Sequence, residues 1–405
     1  SLWVLEVAAR VEPEKAFHKC LAAALGWRME SRAVQVMGSR DYRDAPQPLP
    51  PQVQRRYQKL TRTGTVLGNA PQVRQILLRA PNWVGDAVMS LPMLSGLISL
   101  FPSAQITVLA APRVAPLFSG PPGVTAVLPY PAGQEKWRFL LSLRRKFDLA
   151  VALPNSLESA LGLWLTRTPH RLGYAANGRT PLLTLALKGR NRLQGVHQVF
   201  YYLGLLQAFG PVSNFLPPRL YLSEAEQVGA GQLFPGNGPN PGGPWIGLAP
   251  GATYGPAKRW PAERFAQVGD LLQQEFQAGL VLLGGPADRE AADEVQRHGR
   301  GKYLQLAGRT TLRQALLILS QLNVLVTNDS GLMHAAAALG VPLVALFGST
   351  DPVATGPFTH RATVLHHPQP CSPCLQRTCS LDYACLTEIT AAEVAAAARH
   401  WLEEV

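Results

Sequence analysis

Val324-Leu-Val-Thr-Asn-Asp-Ser-Gly-Leu-Met-His334, followed by the small-residue run Ala335–Ala338, decides the fold. A short apolar strand ends, polar residues and a glycine follow, and a helix begins whose alanines permit close packing. Such a strand–turn–helix unit leaves the first helix amides without partners inside the helix. The amides of Ser330, Gly331 and Leu332 are therefore placed to hold an anion such as a pyrophosphate. Asp329 is placed to accept hydrogen bonds from sugar hydroxyls. His334, one turn into the helix, is either a ligand contact or a satisfied packing residue.

The same alternation extends outward from this unit. Strands are expected at Trp245–Ala249, Leu280–Leu283, Tyr303–Leu306, Val324–Thr327 and Leu343–Phe347. Helices are expected near Ala262–Phe276, Ala287–His298, Leu312–Leu319 and Leu332–Leu339. A second segment, from about Gln75 to Tyr221, repeats the pattern. Its strands are Ile76–Arg79, Ile106–Ala110, Ala126–Tyr130 and Leu149–Leu153, with helices near Asp86–Leu100 and Ser156–Leu165. Strands alternating with amphipathic stretches predict an α/β protein of two doubly wound, Rossmann-like domains.

The Gly-, Pro- and Asn-rich stretch Phe209–Pro244 reads as an interdomain linker that holds no helix. Four regions follow: an N-terminal extension over 1–72, a first domain over 73–222, a linker over 223–244 and a second domain over 245–405. In the extension, Leu2–Trp27 is expected to be helical and Asp41–Pro51 is a Pro-rich break. Thr390-Ala-Ala-Glu393 fits a capping box opening a terminal helix through Trp401. Ligands are expected at the carboxyl ends of the strands, in a cleft between the domains.

Composition narrows the class. The chain has 405 residues, 47% hydrophobic and 16% charged, which suits packed domains and argues against global disorder. Five cysteines in this length do not make a disulfide scaffold. Apolar runs such as Pro342–Phe347 fall far short of the roughly 18 residues of a membrane span. The opening residues reach Glu6 with no basic n-region, unlike a signal peptide, so a cytoplasmic protein is expected. The net charge is +12, and residues 136–192 hold 11 basic side chains against two acids, Asp148 and Glu158. Either this is a solvated face or it captures an anionic partner: nucleic acid, a membrane surface or a phosphorylated substrate.

Several loops leave predicted strands carrying reactive side chains. Arg79-Ala-Pro-Asn-Trp-Val-Gly-Asp86 brings a carboxylate to a strand end, where Asp86 either abstracts a proton from a hydroxyl or caps the helix. Pro250-Gly-Ala-Thr-Tyr-Gly-Pro-Ala-Lys-Arg-Trp-Pro261 is a candidate phosphate cradle. Thr253 would donate to a phosphate oxygen and Lys258 would offset charge on a diphosphate leaving group, unless the lysine is simply solvated. Gly284-Gly285 is either a tight turn or the seat of a flat group such as a nucleobase, and Gly348-Ser-Thr-Asp-Pro352 adds hydroxyls nearby. Cys371, Cys374, Cys379 and Cys385 fit no common zinc or iron–sulfur spacing, so they are read as a structural metal site or as small packed thiols. No Asp-x-Asp motif is present to hold a divalent cation on a sugar diphosphate, so fixed charges are expected to replace it.

These motifs in this order resemble glycosyltransferase family 9, the bacterial ADP-heptose:lipopolysaccharide heptosyltransferases. Pro81–Asp86, Lys258–Phe265, Asn328–His334 and Phe347–Pro352 carry the resemblance, which covers about Gln75 to Val405. It implies the GT-B fold, with the acceptor on the first domain and the donor on the second, and inversion without metal or cofactor. Asp86 then corresponds to the base, Lys258 to the diphosphate contact, Asp329 to the acid that orients the heptose, and Thr253 to a phosphate contact. An acid for the adenosine ribose is expected near Asp288 or Glu290, with Gly285 nearby at the donor site. The implied acceptor is anionic inner-core lipopolysaccharide, with Arg138, Arg144, Arg145, Arg167 and Arg171 as its candidate contacts and peripheral contact with the inner membrane surface. Two rivals stand beside this: another nucleotide sugar or glycan acceptor, or a basic non-catalytic protein binding lipopolysaccharide or nucleic acid. Few aromatics and no nucleic-acid-reading motif lie in 136–192, so no nucleic-acid partner is expected.

Overall fold

The computed structural model describes residues 46–61, 73–188, 195–234 and 242–404, with the backbone of 27–30 and 33–36. Two units separate: the first includes Asp41–Arg219, the second Gly26–Arg40 and Leu220–Val405.

The first unit is built on six parallel strands in the order Val124–Pro129, Gln105–Ala110, Gln75–Arg79, Leu149–Ala152, His170–Tyr174, Leu185–Leu187. Leu149–Ala152 is wholly buried, the continuous apolar run expected of a strand covered on both faces. The chain steps outward from Gln75–Arg79, then returns to its other side with Leu149–Ala152. The strand order therefore reverses between these two, and the loops beyond their carboxyl ends are the favoured place for a ligand.

The second unit repeats the plan in the order Ala362–His366, Leu343–Phe347, Val324–Asn328, Trp245–Ala249, Gly279–Leu282, Tyr303–Gln305. All six are parallel, and the reversal falls between Trp245–Ala249 and Val324–Asn328. An apolar core including Leu248, Trp260, Phe265, Leu282, Val326 and Trp401 lies against this sheet. The helix Gly331–Leu339 buries Ala335–Ala338, and the capping box at Thr390 and Glu393 opens Ala391–Glu403.

Three expectations change. The single helix over Asp86–Leu100 is two, Val84–Met89 and Leu91–Leu100, broken at Ser90. Pro92 in the first turn of the second has no amide to continue the first, and Ser90 Oγ bonds Ala87 O at 2.7 Å instead. The linker is shorter than 223–244, because Glu224–Gly229 is a helix with a Ser223–Glu226 capping box. Arg313 grips Glu226 through two 2.7 Å bonds, holding its carboxyl down to about 2, and Phe234 stacks on Trp245. Nor do the described residues before 62 stand apart as a helical extension: Trp27–Glu30 and Ala33–Val36 are strands, added antiparallel to the edge of the second sheet. The helix Pro51–Thr61 buries Tyr57 in the first unit, where its hydroxyl bonds Phe200 O at 2.6 Å. The helices expected within Leu2–Trp27 lie almost wholly outside the described residues.

Candidate functional site

In the second unit, the loops beyond the reversal point converge. Lys258, from the loop after Trp245–Ala249, places Nζ 2.5 Å from Asp329 Oδ2, just beyond Val324–Asn328. The side chains retain only 13% and 4% of their accessibility, so this pair is poorly screened. Thr350, after the neighbouring strand Leu343–Phe347, donates to the same Asp329 oxygen at 2.6 Å. Asn328 bolts the loops together, donating to Pro250 O at 2.7 Å and accepting from Trp260 N at 3.1 Å. Lys258 also lies 4.9 Å from the centre of the Tyr254 ring.

The residues expected at a donor site are arranged unevenly around this pair. Ser330 is the N-cap of Gly331–Leu339, its hydroxyl 3.2 Å from Thr327 Oγ1. The following amides, Gly331 and Leu332 included, begin the helix beside Asp329. His334 is buried, and burial, opposed by Asp329 and assisted by Lys258, pushes its pKa down to about 4. It is a neutral imidazole near the ion pair. Thr253 lies exposed on the loop. Asp288 sits at the end of Gly279–Leu282: its Oδ2 accepts from Gly285 N at 2.9 Å, and its Oδ1 is buried with no partner. A side chain at Gly251 would meet Asp288 Cγ at 2.1 Å, and one at Gly284 would meet its Cβ at 2.7 Å. The glycines thus admit the aspartate itself, a nearer reason for them than a nucleobase.

The Cys-rich segment is stitched onto these loops. Tyr254 Oη donates to Leu375 O at 2.6 Å, Ala257 N to Arg377 O at 3.0 Å, and Leu375 N to Ser349 O at 2.8 Å. Gly255, at φ +151°, lies where a Cβ would meet Arg377 O at 2.6 Å. Cys371, Cys374, Cys379 and Cys385 are free thiols, and burial, then the neighbouring cysteines, push Cys385 up to about 11. Among the described residues, no three His, Cys, Asp or Glu side chains are arranged to hold a metal ion.

In the first unit, Asp86 lies in the first turn of Val84–Met89, just beyond Gln75–Arg79 and hence at the reversal point. The N-cap of that helix is Trp83, and the Asp86 carboxylate accepts from Tyr202 Oη at 2.9 Å. Arg79 is buried under the Tyr130 ring, 4.4 Å from its centre, and donates to Asn82 Oδ1 at 2.8 Å. Arg113 fixes the same loop, donating to Asn82 O at 2.8 Å while its guanidinium lies 5.0 Å from the half-exposed Trp83 ring.

The five arginines expected to meet the acceptor are not gathered at Asp86. Arg144 and Arg145 end the segment after Glu135–Ser142, and Arg167 follows Leu157–Leu165. Both helices run back against the strands, so these three lie at the amino edge of the sheet, where Arg145 N bonds Thr166 O. Arg171 is taken up by backbone carbonyls, its Nε on Leu182 O at 2.8 Å and Nη1 on Thr168 O. Arg138 lies exposed on Glu135–Ser142. What sequence reading missed is Tyr202, Asn328, Thr350 and Arg113. Thr350 and Asn328 stood inside quoted motifs, whereas nothing local ties Tyr202 to a residue 116 positions away.

Comparison with known proteins gives the family. The sequence model of glycosyltransferase family 9 (heptosyltransferase) matches residues 136–384. Lipopolysaccharide heptosyltransferase 2 of Escherichia coli K12 is 36% identical over 310 residues, 72% of this chain and 87% of that protein. Its counterpart from Salmonella typhimurium LT2 is 37% identical over 309 residues, 72% of this chain and 87% of that protein. The solved structure of E. coli ADP-heptose lps heptosyltransferase II matches with TM-score 0.71 at 32% identity, covering 82% of this chain and 99% of that one. Fold and relatives together define a glycosyltransferase of the GT-B class, with two Rossmann-like domains. The chain belongs to glycosyltransferase family 9, the heptosyltransferases.

Proposed function

We propose that this enzyme moves heptose from ADP-L-glycero-D-manno-heptose to the inner-core heptose of lipopolysaccharide, inverting the anomeric centre without a metal. The observation that carries the reading is the Lys258–Asp329–Thr350 cluster at the reversal point of the second sheet. A sugar diphosphate needs a cation for its phosphates and an acid for its hydroxyls, and both stand there together. The names of the relatives at 36% and 37% identity support the lipopolysaccharide acceptor, and the matching structure's title supports the ADP-heptose donor.

Asp86 takes the proton of the acceptor hydroxyl as its oxygen attacks the anomeric carbon from the face opposite ADP. The bond to the diphosphate breaks, and Lys258 with the amides of Ser330, Gly331 and Leu332 receives the charge. The diphosphate competes with Asp329 for Lys258, which leaves Asp329 and Thr350 to engage sugar hydroxyls. Thr253 contacts a phosphate, Asp288 offers its unpartnered Oδ1 to the adenosine ribose beside Gly285, and neutral His334 lines the sugar end. On the first unit, Arg113 is the acceptor contact we favour over Arg138, Arg144, Arg145 and Arg167. The reaction takes place in the cytoplasm, at the inner membrane surface that bears the acceptor. Among the described residues no helix is long and apolar enough to cross that membrane.

The test is Asp86→Asn, assayed with excess EDTA, in which the wild type stays active. Turnover should fall about 10³-fold or more while ADP affinity by calorimetry holds. A variant keeping over about a tenth of the wild-type rate removes Asp86 from the role of base.

A further inference from the structure

The geometry points to Tyr202 as the residue that positions the Asp86 carboxylate for proton abstraction, with Gln198 aligning the phenol; this rests on the reading of Asp86 as base. The helix Gln198–Leu203 packs against the Val84–Met89 and Leu91–Leu100 helices in the first unit. It delivers Tyr202, buried to 5% exposure, with its hydroxyl 2.9 Å from Asp86 Oδ1. Gln198, one turn earlier on the same helix, hydrogen-bonds the phenol. A phenol oxygen that accepts from the amide keeps its own proton aimed at the carboxylate.

Two features make this more than packing. Burial and the Asp86 charge both raise the Tyr202 pKa well above that of an ordinary phenol, so the hydroxyl remains a donor at every working pH. The phenol orients the carboxylate and adds no positive charge of its own. A lysine or arginine in that position would hold the carboxylate more strongly and remove much of its proton affinity. The supporting surface is rigid as well: Tyr201 stacks on Tyr174 at 4.7 Å, and Phe200 O accepts the Tyr57 hydroxyl.

Tyr202→Phe tests the assignment, since it deletes one oxygen and keeps the ring. A phenol donating to a carboxylate favours its charged form, so its loss should move the acidic limb of the kcat/KM–pH profile to higher pH, by about half a unit or more. Turnover at neutral pH should fall about tenfold with ADP affinity unchanged. In an Asp86→Asn background the same change should cost nothing further, because Tyr202 acts only through that carboxylate. Gln198→Leu should give a smaller displacement of the limb in the same direction. An unmoved limb, or equal losses in both backgrounds, overturns the assignment. If Asp86→Asn alone keeps its activity, the base reading fails on that result, separately from anything Tyr202→Phe does.

Discussion

Asp86 and Asp329 stand at equivalent places, each just beyond a central strand where the strand order reverses, yet their surroundings differ. Asp329 is nearly inaccessible, ion-paired to Lys258 and bonded to Thr350. Asp86 is half-buried and accepts a bond from the Tyr202 phenol among its contacts. A carboxylate whose charge is matched by an adjacent ammonium is suited to orient hydroxyls. On the function proposed above, the two carboxylates would divide proton abstraction and hydroxyl orientation between them.

The largest way to break this contrast is Lys258→Ala. We expect turnover to drop about 10²–10³-fold and ADP binding to weaken in calorimetry. Because Asp329 would be left buried beside no cation, the melting temperature should fall too, reflecting about 3–5 kcal/mol. An unchanged ADP affinity would leave the lysine as a structural partner of Asp329 alone.

His334 sharpens the same contrast through pH. Its folded pKa, about 4, lies below the ordinary value of 6.5, so the unfolded chain binds more protons between those values. Stability is then free of this penalty above pH 6.5 and is lost as pH falls from there toward 4, by on the order of 3 kcal/mol. Urea melts at pH 7 and pH 4.5 should show that loss in the wild type and a smaller one in His334→Gln. Equal losses in both would mean the imidazole is not protonated on unfolding as described.

The smallest effect belongs to the acceptor side. Arg113→Gln should raise KM for lipopolysaccharide about fivefold to tenfold, with ADP affinity unmoved. The triple replacement of Arg144, Arg145 and Arg167 by Gln should change KM less than that single substitution. The reverse order would return the acceptor to the basic edge.

Much of this was legible in the sequence, and the pattern of success is physical. Buried central strands such as Trp245–Ala249 and Leu343–Phe347 are continuous apolar runs, so their bounds match the structure. His170–Tyr174 and Ala362–His366 went unseen, since His170, Arg171, Thr363 and His366 interrupt their apolar signal. Within the site, Lys258 and Asp329 could be paired by reasoning about strand ends. That Arg144 and Arg167 lie at the amino edge was not legible, because a charge count does not say at which edge of a sheet a helix finishes. Tyr202 was invisible for another reason: a buried aromatic among Tyr201, Tyr202 and Leu203 looks like core until its hydroxyl is seen to reach a carboxylate.

The Tyr57 hydroxyl bond to Phe200 O has a consequence for dissecting this protein. It joins the Pro51–Thr61 helix to the turn of chain that presents Tyr202, so the packing of the first unit draws on chain well upstream of its first sheet strand. A truncation starting at residue 73 would strip away that brace while leaving every motif in place. Grafts that exchange acceptor halves between relatives should carry residues 46–58 with them, or the transplanted aspartate will arrive without its anchor.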